Sequence, residues 1–415
     1  MEERVIEWCN EIKLLGKAAL QEPQLSYIAF VQGLSKKWNF LMRTTPNISG
    51  LLMPVEEHIQ QYFIQPCLGR NADETYRNVY FLPTRYGGLN INDPTRCADT
   101  EYQNSKAATS LLVNCILEGT LTNPDSISPK EIKAQISHEN NAKFKTMKDE
   151  VLTGLSEEKA RYIELASEKG ASAWLQCLPL ENCGFQLNKQ EFHDAVSLRY
   201  GHPISGIAKV CACGTENSVN HSLICKKGGF VSMRHNSLRD TIASALTSVC
   251  KDVKTEPKLI PLTEEQLQRS ANTADDARLD ISARNFWFPM GQSFFDIRVL
   301  HPGSTSNAGN LCQMYERHEK EKKRLYNERV IQIEKGTFTP LVFSTSGGMS
   351  NETGKFLKRL ALLLSSKTGQ DYSHCITFLR KRLRFDLLRT CVISLRGYRG
   401  ASVSTHLEDI DMNLI

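Results

Sequence analysis

The stretch "ARLDISARNFWFPMGQSFFDIRVLHP", residues 277–302, decides the fold of the second half of the chain. It contains two short runs of apolar, β-prone residues, which predict strands over 277–282 and 293–300. The segment between these runs contains Pro289 and Gly291, both of which favour a turn. We therefore expect the two strands to pair as an antiparallel hairpin.

Alternation along the two strands separates charged from apolar side chains. In the first strand, Leu279 and Ile281 are expected on one face and Asp280 on the other. In the second strand, Asp296 and Arg298 are expected to point together away from the buried face. The side chains expected on that buried face are Phe295, Ile297 and Val299.

Pairing of the strands would bring the side chains of Asp280 and Asp296 together. Carboxylates a few ångströms apart repel each other unless a divalent cation lies between them. Such a cation can polarise a phosphodiester and activate water. The pair therefore predicts a Mg²⁺ or Mn²⁺ site, and the simpler alternative is that both aspartates lie on solvated strand faces.

The composition narrows the class of protein. With 415 residues, 40% of them hydrophobic, the chain is long enough for two or three domains with their own cores. No run approaches the roughly 18 consecutive apolar residues of a membrane span, and the first residues, "MEERVIEWCNEIK", are acidic where a signal peptide is basic. The 13 cysteines show no disulfide framework. We expect a soluble intracellular protein of the nucleus or cytoplasm, without a membrane partner.

The distribution of charge and the spacing of apolar residues divide the chain into regions. The formal net charge of +5 is too small to identify a polyanionic partner, but residues 380–399 are strongly basic. Apolar residues at helical spacing predict helices up to residue 118, with a turn at Gly87-Gly88. The predicted regions are a helical region (1–118), a helical linker region (119–205), a Cys/His motif (206–230), an α/β domain with basic C-terminal helices (231–400) and a tail (401–415).

A Cys/His cluster, "CACGTENSVNHSLIC", lies before the predicted strands. Its spacing, C-x-C-x7-H-x3-C, is formed by Cys211, Cys213, His221 and Cys225. Three thiolates and one imidazole complete a tetrahedral structural zinc site, and Gly214 permits a tight turn beneath the metal. The cluster predicts zinc, and the alternative is a set of buried thiols beside a surface histidine.

Basic residues follow this cluster directly. Lys226 and Lys227, then Arg234 and His235, precede or begin a predicted helix, and Arg284 lies at the end of the first predicted strand. A basic entrance to a helix is suited to phosphate contact, so these five residues are predicted to bind nucleic acid. A solvated helix start is an equally good explanation of the first four.

A carboxylate in one strand followed by D-x-K in the next strand is the layout of the PD-(D/E)XK, or restriction-like, nucleases, which this segment resembles. Leu279 stands in place of the usual proline, and Arg298 in place of the lysine. A guanidinium stabilises charge but cannot act as a base. The following helix, "QMYERHEKEKKRLYNERVIQIEK", offers Lys322 or Lys323, each on the same face as Tyr326, although a solvated charged helix explains most of its charges.

The resemblance extends over nearly the whole chain. After the Cys/His cluster come "KKGG", "RHN", "EP", "DARLDISARNFW", "FFDIRV", "EKKRLYNERV", "FTPLVFSTSGG" and "FLKRLALLL". This order is similar to the C-terminal part of site-specific LINE-type (non-LTR) retrotransposon proteins, in which a CCHC zinc motif precedes a restriction-like endonuclease and a migrated lysine lies on the helix after the second aspartate. Upstream, "GLSKKWNFLMRTTP", "LPTRYGGLNI" and "EFHDAVSLRYG" resemble the thumb-like region that follows the reverse transcriptase palm.

The resemblance implies an α+β protein with a helical N-terminal region and a zinc-containing restriction-endonuclease-like core. It implies a nuclease that nicks target DNA, without the polymerase palm, because the adjacent aspartates Asp275-Asp276 lie in a polar loop. Element RNA is a further expected partner, and a separate reverse transcriptase is either a partner or not required. The alternative is an inactive, zinc-containing nucleic-acid-binding remnant.

The resemblance also implies roles for individual residues. The expected Mg²⁺ or Mn²⁺ ligands are Asp280 and Asp296, with Glu256 of "VKTEPKLI" as a weaker candidate. Arg298 would bind phosphate, and Lys322 or Lys323 would stabilise charge or transfer a proton. The complete set of candidate catalytic residues is Asp280, Asp296, Arg298, Lys322, Lys323 and Tyr326.

Overall fold

The structure is a computed structural model that describes residues 1–119, 129–263, 265, 267–304, 307 and 309–397. The predicted tail at 401–415 lies outside these residues. The described chain forms two compact units. The first unit contains Met1–Ser167, Leu178–Leu180 and Gln186–Gly201, and the second contains Glu168–Cys177, Glu181–Phe185 and the chain from His202 onward.

The first unit is helical, as the spacing of its apolar residues predicts. Its α-helices are α1 (Glu2–Ala19), α2 (Pro23–Ile28), α3 (Asn39–Thr44), α4 (Met53–His58), α5 (Gln65–Leu68), α6 (Glu74–Phe81), α7 (Pro94–Glu118), α8 (Pro129–Thr153), α9 (Glu157–Ser167) and α10 (Lys189–Tyr200). It also contains π-helical segments at Ala29–Gly33 and Ile59–Ile64 and 3-10 segments at Leu34–Lys36, Gly50–Leu52 and Thr84–Tyr86. Within the described residues, no helix is both long enough and apolar enough to cross a membrane.

Local sequence explains several features of this unit. The side chains of Asn188 and Glu191 form a capping box that starts α10. The predicted turn at Gly87-Gly88 is present, and Gly87 has a positive φ of 90°. The boundary predicted between residues 118 and 119 differs from the observed division, because the helices on either side of it, α7 and α8, belong to the same unit.

The second unit combines helices with one sheet, so the α+β class holds. Its helices are α11 (Val219–Ile224), α12 (Phe230–Thr247), α13 (Leu311–Gln332), α14 (Asn351–Thr368) and α15 (Tyr372–Arg396), with 3-10 segments at Ala173–Gln176 and Glu181–Cys183. Its strands are β1 (Lys251–Thr255), β2 (Ile281–Arg284), β3 (Gln292–Leu300) and β4 (Thr337–Ser344). The strand order is β1-β2-β3-β4.

The predicted hairpin is confirmed. Strands β2 and β3 pair antiparallel, with Ile281 opposite Phe295 and Arg284 opposite Gln292. Strand β1 pairs antiparallel with β2, and β4 pairs parallel with β3. The first strand is shorter than predicted, because the backbone bends at Asp280 and the strand begins at Ile281.

Helices cover both faces of the sheet at strands β2, β3 and β4, whereas most of β1 is exposed. One face packs against α12, α14 and α15 in a large apolar cluster that contains Ile281, Phe295 and Ile297, and Val299 packs against this cluster. The other face packs against α13 in two smaller apolar clusters. Leu279 belongs to one of these smaller clusters. The prediction that Leu279 shares a face with Ile281 was therefore wrong, because the bend at Asp280 interrupts the alternation.

The face beneath α13 is apolar at both ends and charged in the middle. Along β3, Phe294 lies in one small cluster and Leu300 in the other, with Asp296 between them. Asp296 is only 5% exposed. A carboxylate at this depth is costly unless a charge or hydrogen bond compensates it, so its neighbours decide what it can do.

Candidate functional site

The two aspartates lie near each other, although only one of them belongs to a strand. Asp296 is in β3, whereas the pairing of β2 with β3 ends at Ile281 and Phe295 and Asp280 is the bend residue just before it. Asp280 accepts a hydrogen bond from the backbone N–H of Ile297, the residue after Asp296. Its charge also contributes to the raised pKa of Asp296. Asp280 therefore approaches Asp296 through the bend before β2 and not through the strand register.

The carboxylate of Asp280 is held by two donors. The backbone N–H of Ile297 donates to Oδ2 at 2.5 Å, and Nε2 of His235 lies 3.1 Å from the same oxygen. The bond to Asp280 raises the pKa of His235 above its usual value, although burial opposes this change. At neutral pH, the two groups form a charge-assisted pair whenever His235 is protonated.

The carboxylate of Asp296 lies against the ammonium of Lys322. The Nζ atom of Lys322 is 2.5 Å from Oδ2 in an ion pair, although the contact lacks hydrogen-bond geometry and Oδ2 has no hydrogen bond within the described residues. Burial raises the pKa of Asp296 from 3.8 to about 6, and Asp280 adds to this rise, whereas Lys322 opposes it. Asp296 is therefore a carboxylate whose ionisation is incompletely compensated by its protein neighbours.

Helix α13 distinguishes between the two candidate lysines. Lys322 contacts Asp296 and also lies 5.8 Å from the centre of the Tyr326 ring. Lys323 instead pairs with Glu352 at 3.6 Å, away from the aspartates. The hydroxyl of Tyr326 accepts a hydrogen bond from the side-chain amide of Asn272 at 3.4 Å. The geometry supports Lys322, not Lys323, as the lysine of the site.

Glu256 follows β1, and its backbone N–H donates to the Asp280 carbonyl at 2.9 Å. Its carboxylate, however, forms ion pairs with Arg239 and, at 3.9 Å, with Arg278. About half of its side chain is exposed. The prediction of Glu256 as a metal ligand is not supported, because two guanidinium groups already neutralise it.

Arg298 extends from the same strand as Asp296 and is exposed. Within the described residues, its guanidinium has no hydrogen bond or ion pair, and its charge lowers the pKa of nearby His318, after the larger effect of burial. An exposed guanidinium two residues after Asp296 remains available to a phosphate. Arg284, by contrast, pairs with Asp252 at 3.1 Å.

Four of the predicted nucleic-acid-binding residues lie just before α12 or in its first turns, and they occupy three different environments. Lys226 and Lys227 are exposed and remain candidates for phosphate contact. Arg234 is 2% exposed and donates to the Leu223 carbonyl at 2.6 Å. Its assignment to phosphate binding was therefore wrong, because the guanidinium is used inside the unit. His235 lies beside Asp280 instead of at a basic surface.

The basic segment at 380–399 is also less available than its composition suggests. Three of its arginines donate to backbone carbonyls within the second unit: Arg382 to Cys183, Arg384 to Ala171 and Arg389 to Gly184. Arg384 is buried. Much of this positive charge stabilises loops of the unit and does not form an open surface for DNA.

The four residues of the Cys/His motif come together. One potential ligand atom from each of Cys211, Cys213, His221 and Cys225 lies within 4.8 Å of the others. The sulfurs of Cys211 and Cys225 are 3.8 Å apart, and Cys213 Sγ is 3.3 Å from His221 Nε2. Two sulfurs each about 2.3 Å from a tetrahedral zinc would be about 3.8 Å apart. The donor set and its spacing fit a metal ion.

The local backbone explains this arrangement. An isolated bridge pairs Val210 with Glu216 and encloses the first two cysteines, and Gly214, with a φ of 88°, turns the chain within this loop. Ser218 then caps α11 by accepting from the N–H of His221. This short helix presents the third ligand residue, and the chain leaving it presents Cys225. A hydrogen bond from Thr215 lowers the pKa of Cys213 to about 6, which favours the thiolate form.

Sequence reasoning missed two participants around the aspartates. His235 was assigned to phosphate binding, and Arg239 was not singled out. The two residues are four positions apart on α12, so they share one face of the helix. Helical spacing from His235 was the signal that would have found Arg239, whose guanidinium lies between Asp240 and Glu256.

Comparison with known proteins adds no assignment. No protein-family model matches the chain, and no curated protein is significantly similar to it in sequence. Three features of the described residues bear on function: the neighbouring carboxylates of Asp280 and Asp296, Lys322 on α13 beside Asp296, and a Cys/His cluster that can hold a metal ion.

Proposed function

We propose that the second unit is a divalent-metal-dependent DNA endonuclease of the restriction-like type. The observation that carries the proposal is the approach of Asp280 to Asp296, since Asp280 accepts the N–H of Ile297, the residue after Asp296, and Lys322 of the following helix lies 2.5 Å from Asp296. A mixed sheet with helices on both faces also supports the core that the sequence resemblance implies. An origin in a LINE-type retrotransposon protein, and action on nuclear DNA, are part of the same proposal.

The donor set fits magnesium or manganese. Carboxylate oxygens are the hard ligands that these cations prefer. The raised pKa of Asp296 reflects a buried negative charge that Lys322 alone does not compensate. When bound, such a cation supplies positive charge that polarises a phosphodiester and lowers the pKa of a coordinated water. Asp280 and Asp296 would hold it, because Glu256 is engaged with arginines.

The remaining residues of the site have complementary roles in this proposal. Lys322 orients the Asp296 carboxylate through their ion pair and places an ammonium where negative charge develops on a phosphate. Tyr326, one turn further along α13, has its ring 5.8 Å from the Lys322 ammonium, a distance that permits a cation–π contact. The exposed guanidinium of Arg298 would bind a phosphate oxygen and stays charged throughout, so it has no part in proton transfer.

We further propose that the Cys/His cluster holds structural zinc. Four ligand residues leave no open position, which is typical of zinc sites that stabilise a fold rather than activate water. The exposed Lys226 and Lys227 follow the last cysteine directly, so a metal-stabilised turn would present them to the DNA backbone.

A nucleic-acid-binding protein without cleavage activity is the second candidate. It is favoured by Arg298 in the position of the usual lysine and by the neutralisation of Glu256, which leaves two carboxylates for the cation. Both candidates require DNA binding, but only the endonuclease requires the aspartates.

Incubation with supercoiled plasmid distinguishes them. The purified protein should convert the plasmid to nicked circles with Mg²⁺ or Mn²⁺ and not without added cation. Asp280→Ala and Asp296→Ala should abolish nicking while DNA binding persists. Asp276→Asn, at an exposed position in the preceding loop, is the matched control and should nick normally. Nicking that survives both alanine variants would refute the assignment, and an inactive parent that binds DNA would support the second candidate.

A further inference from the structure

We propose that His235 is a positioning residue that holds the Asp280 carboxylate in the orientation needed for binding the divalent cation. The proposal rests on the nuclease function proposed above and deepens it. His235 Nε2 lies 3.1 Å from Asp280 Oδ2, although the two residues are 45 positions apart in the chain. This contact joins α12 to the residue that precedes β2.

The protonation pattern of the contact is fixed by its acceptor. An ionised carboxylate has no hydrogen to donate, so Nε2 of His235 must carry the hydrogen and donate it to Oδ2. The same oxygen accepts the N–H of Ile297 at 2.5 Å. Within the described residues, no hydrogen bond or ion pair reaches Oδ1 of Asp280. Two donors on one oxygen therefore fix the rotation of the carboxylate and leave the other oxygen free for a cation.

Direct coordination by His235 is less consistent with this geometry. A nitrogen that carries hydrogen has no lone pair for a metal ion. The second ring nitrogen, Nδ1, lies 3.3 Å from the side-chain oxygen of Asn236. The arrangement is that of a metal-binding carboxylate supported by an outer hydrogen-bond donor, and removal of such donors typically costs about 10- to 100-fold in metal affinity or activity.

The helix that carries His235 is rigid enough for this role. Leu238, Ile242 and Leu246 of α12 are buried in the large apolar cluster against the sheet. The helix therefore cannot slide relative to β2 without disrupting that packing. The side chain of His235 is 30% exposed, so its replacement does not create a cavity in the apolar core.

Two substitutions separate hydrogen-bond donation from the volume of the ring. His235→Phe keeps an aromatic ring and removes the donor, whereas His235→Gln keeps an N–H group at a similar reach. His374→Phe, at an exposed position in α15, is the matched control. Each protein is titrated with Mg²⁺, and both the initial plasmid-nicking rate and the thermal melting temperature are measured at every concentration.

His235→Phe should raise the Mg²⁺ midpoint about tenfold or more in both measurements, with much of the rate recovered at saturating Mg²⁺. His235→Gln should stay within about threefold of the parent, and His374→Phe should match it. If Phe prevents folding, His235→Ala provides the comparison without the added apolar surface.

An unchanged midpoint in the donor-free variant would overturn the positioning role while the nuclease function stands. Equal loss in the Gln and Phe variants would also overturn it, because the ring rather than the donor would then matter. A parent protein with neither a Mg²⁺-dependent melting shift nor nicking would overturn the proposed function together with this inference.

Discussion

Asp296→Asn should stabilise the second unit in Mg²⁺-free buffer at pH 8. The pKa of Asp296 is raised from 3.8 to about 6, mainly by burial, despite the attraction of Lys322. A pKa increase of this size means that folding of the ionised form is disfavoured by about 3 kcal/mol, since one pKa unit is equivalent to about 1.4 kcal/mol. Asparagine resembles the neutral acid, so about 3 kcal/mol is the upper limit of the gain, equivalent to roughly 6–12 °C in melting temperature.

The pH dependence has a defined sign. Because the folded-state pKa of Asp296 lies above its unfolded value, the folded state binds the proton more tightly. Its contribution to the free energy of unfolding is therefore fully favourable below about pH 4 and is lost as the pH rises to about 6. The difference between the Asn variant and the parent should be small at pH 4, grow through this window and stay constant above it.

Mg²⁺ should oppose the effect by stabilising the parent, because only the parent has both carboxylates. A cation at about 100 times its Kd stabilises the folded protein by about 2.7 kcal/mol, which would close most of the gap. The assay is thermal melting of both proteins from pH 4 to 8, with and without Mg²⁺. An Asn variant that melts at or below the parent temperature at pH 8 without Mg²⁺ would refute the burial argument, and a Mg²⁺ response equal to that of the parent would refute the ligand role.

Three further expectations concern other residues. Lys322→Met should lower the nicking rate by about 100-fold or more, whereas Lys323→Met should retain it, and equal rates in a plasmid assay would contradict the assignment of Lys322. Elemental analysis should find about one zinc ion per chain in the parent, and Cys225→Ser should lose this zinc and melt at a lower temperature. An unchanged zinc content in the variant would exclude the cluster as the zinc site. Replacing both Lys226 and Lys227 with Ala should reduce the slope of log binding constant against log salt by about 2, measured by fluorescence anisotropy with duplex DNA, and an unchanged slope would place these lysines away from the phosphates.

The features that the sequence predicted well depend on local or paired patterns. The hairpin followed from two β-prone runs with a turn between them, and β2 and β3 pair from Ile281 opposite Phe295 to Arg284 opposite Gln292. The approach of Cys211 and Cys225 followed from ligand types at short spacing, since 14 positions separate them along the chain and their sulfurs lie 3.8 Å apart. Such patterns constrain geometry before any tertiary contact forms.

Predictions from charge alone were less successful, because charge does not reveal orientation. Arg234 and His235 are adjacent in sequence, yet one is buried against Leu223 and the other reaches Asp280. Consecutive helical residues point about 100° apart, so a basic pair cannot be assigned to one surface without knowing where the helix packs. The arginines of α15 behave similarly, since three of them donate hydrogen bonds to backbone carbonyls of the same unit.

The different orientations of Arg234 and His235 also connect the two candidate metal sites. Arg234 holds the carbonyl of Leu223 in α11, the short helix of the Cys/His motif. Asn220 of the same helix contacts His301 Nε2 at 2.9 Å, and burial lowers the pKa of His301 to about 4, so this histidine is neutral at pH 7.

The Cys/His motif is therefore fixed against the core from two directions. One contact lies at the start of α12 and the other just beyond the end of β3, the strand that carries Asp296. The residue after Arg234, His235, reaches Asp280. A metal ion in the Cys/His cluster would thus stabilise the entry of the helix that orients the aspartate site, which gives a physical reason for the two motifs to occur together in one unit.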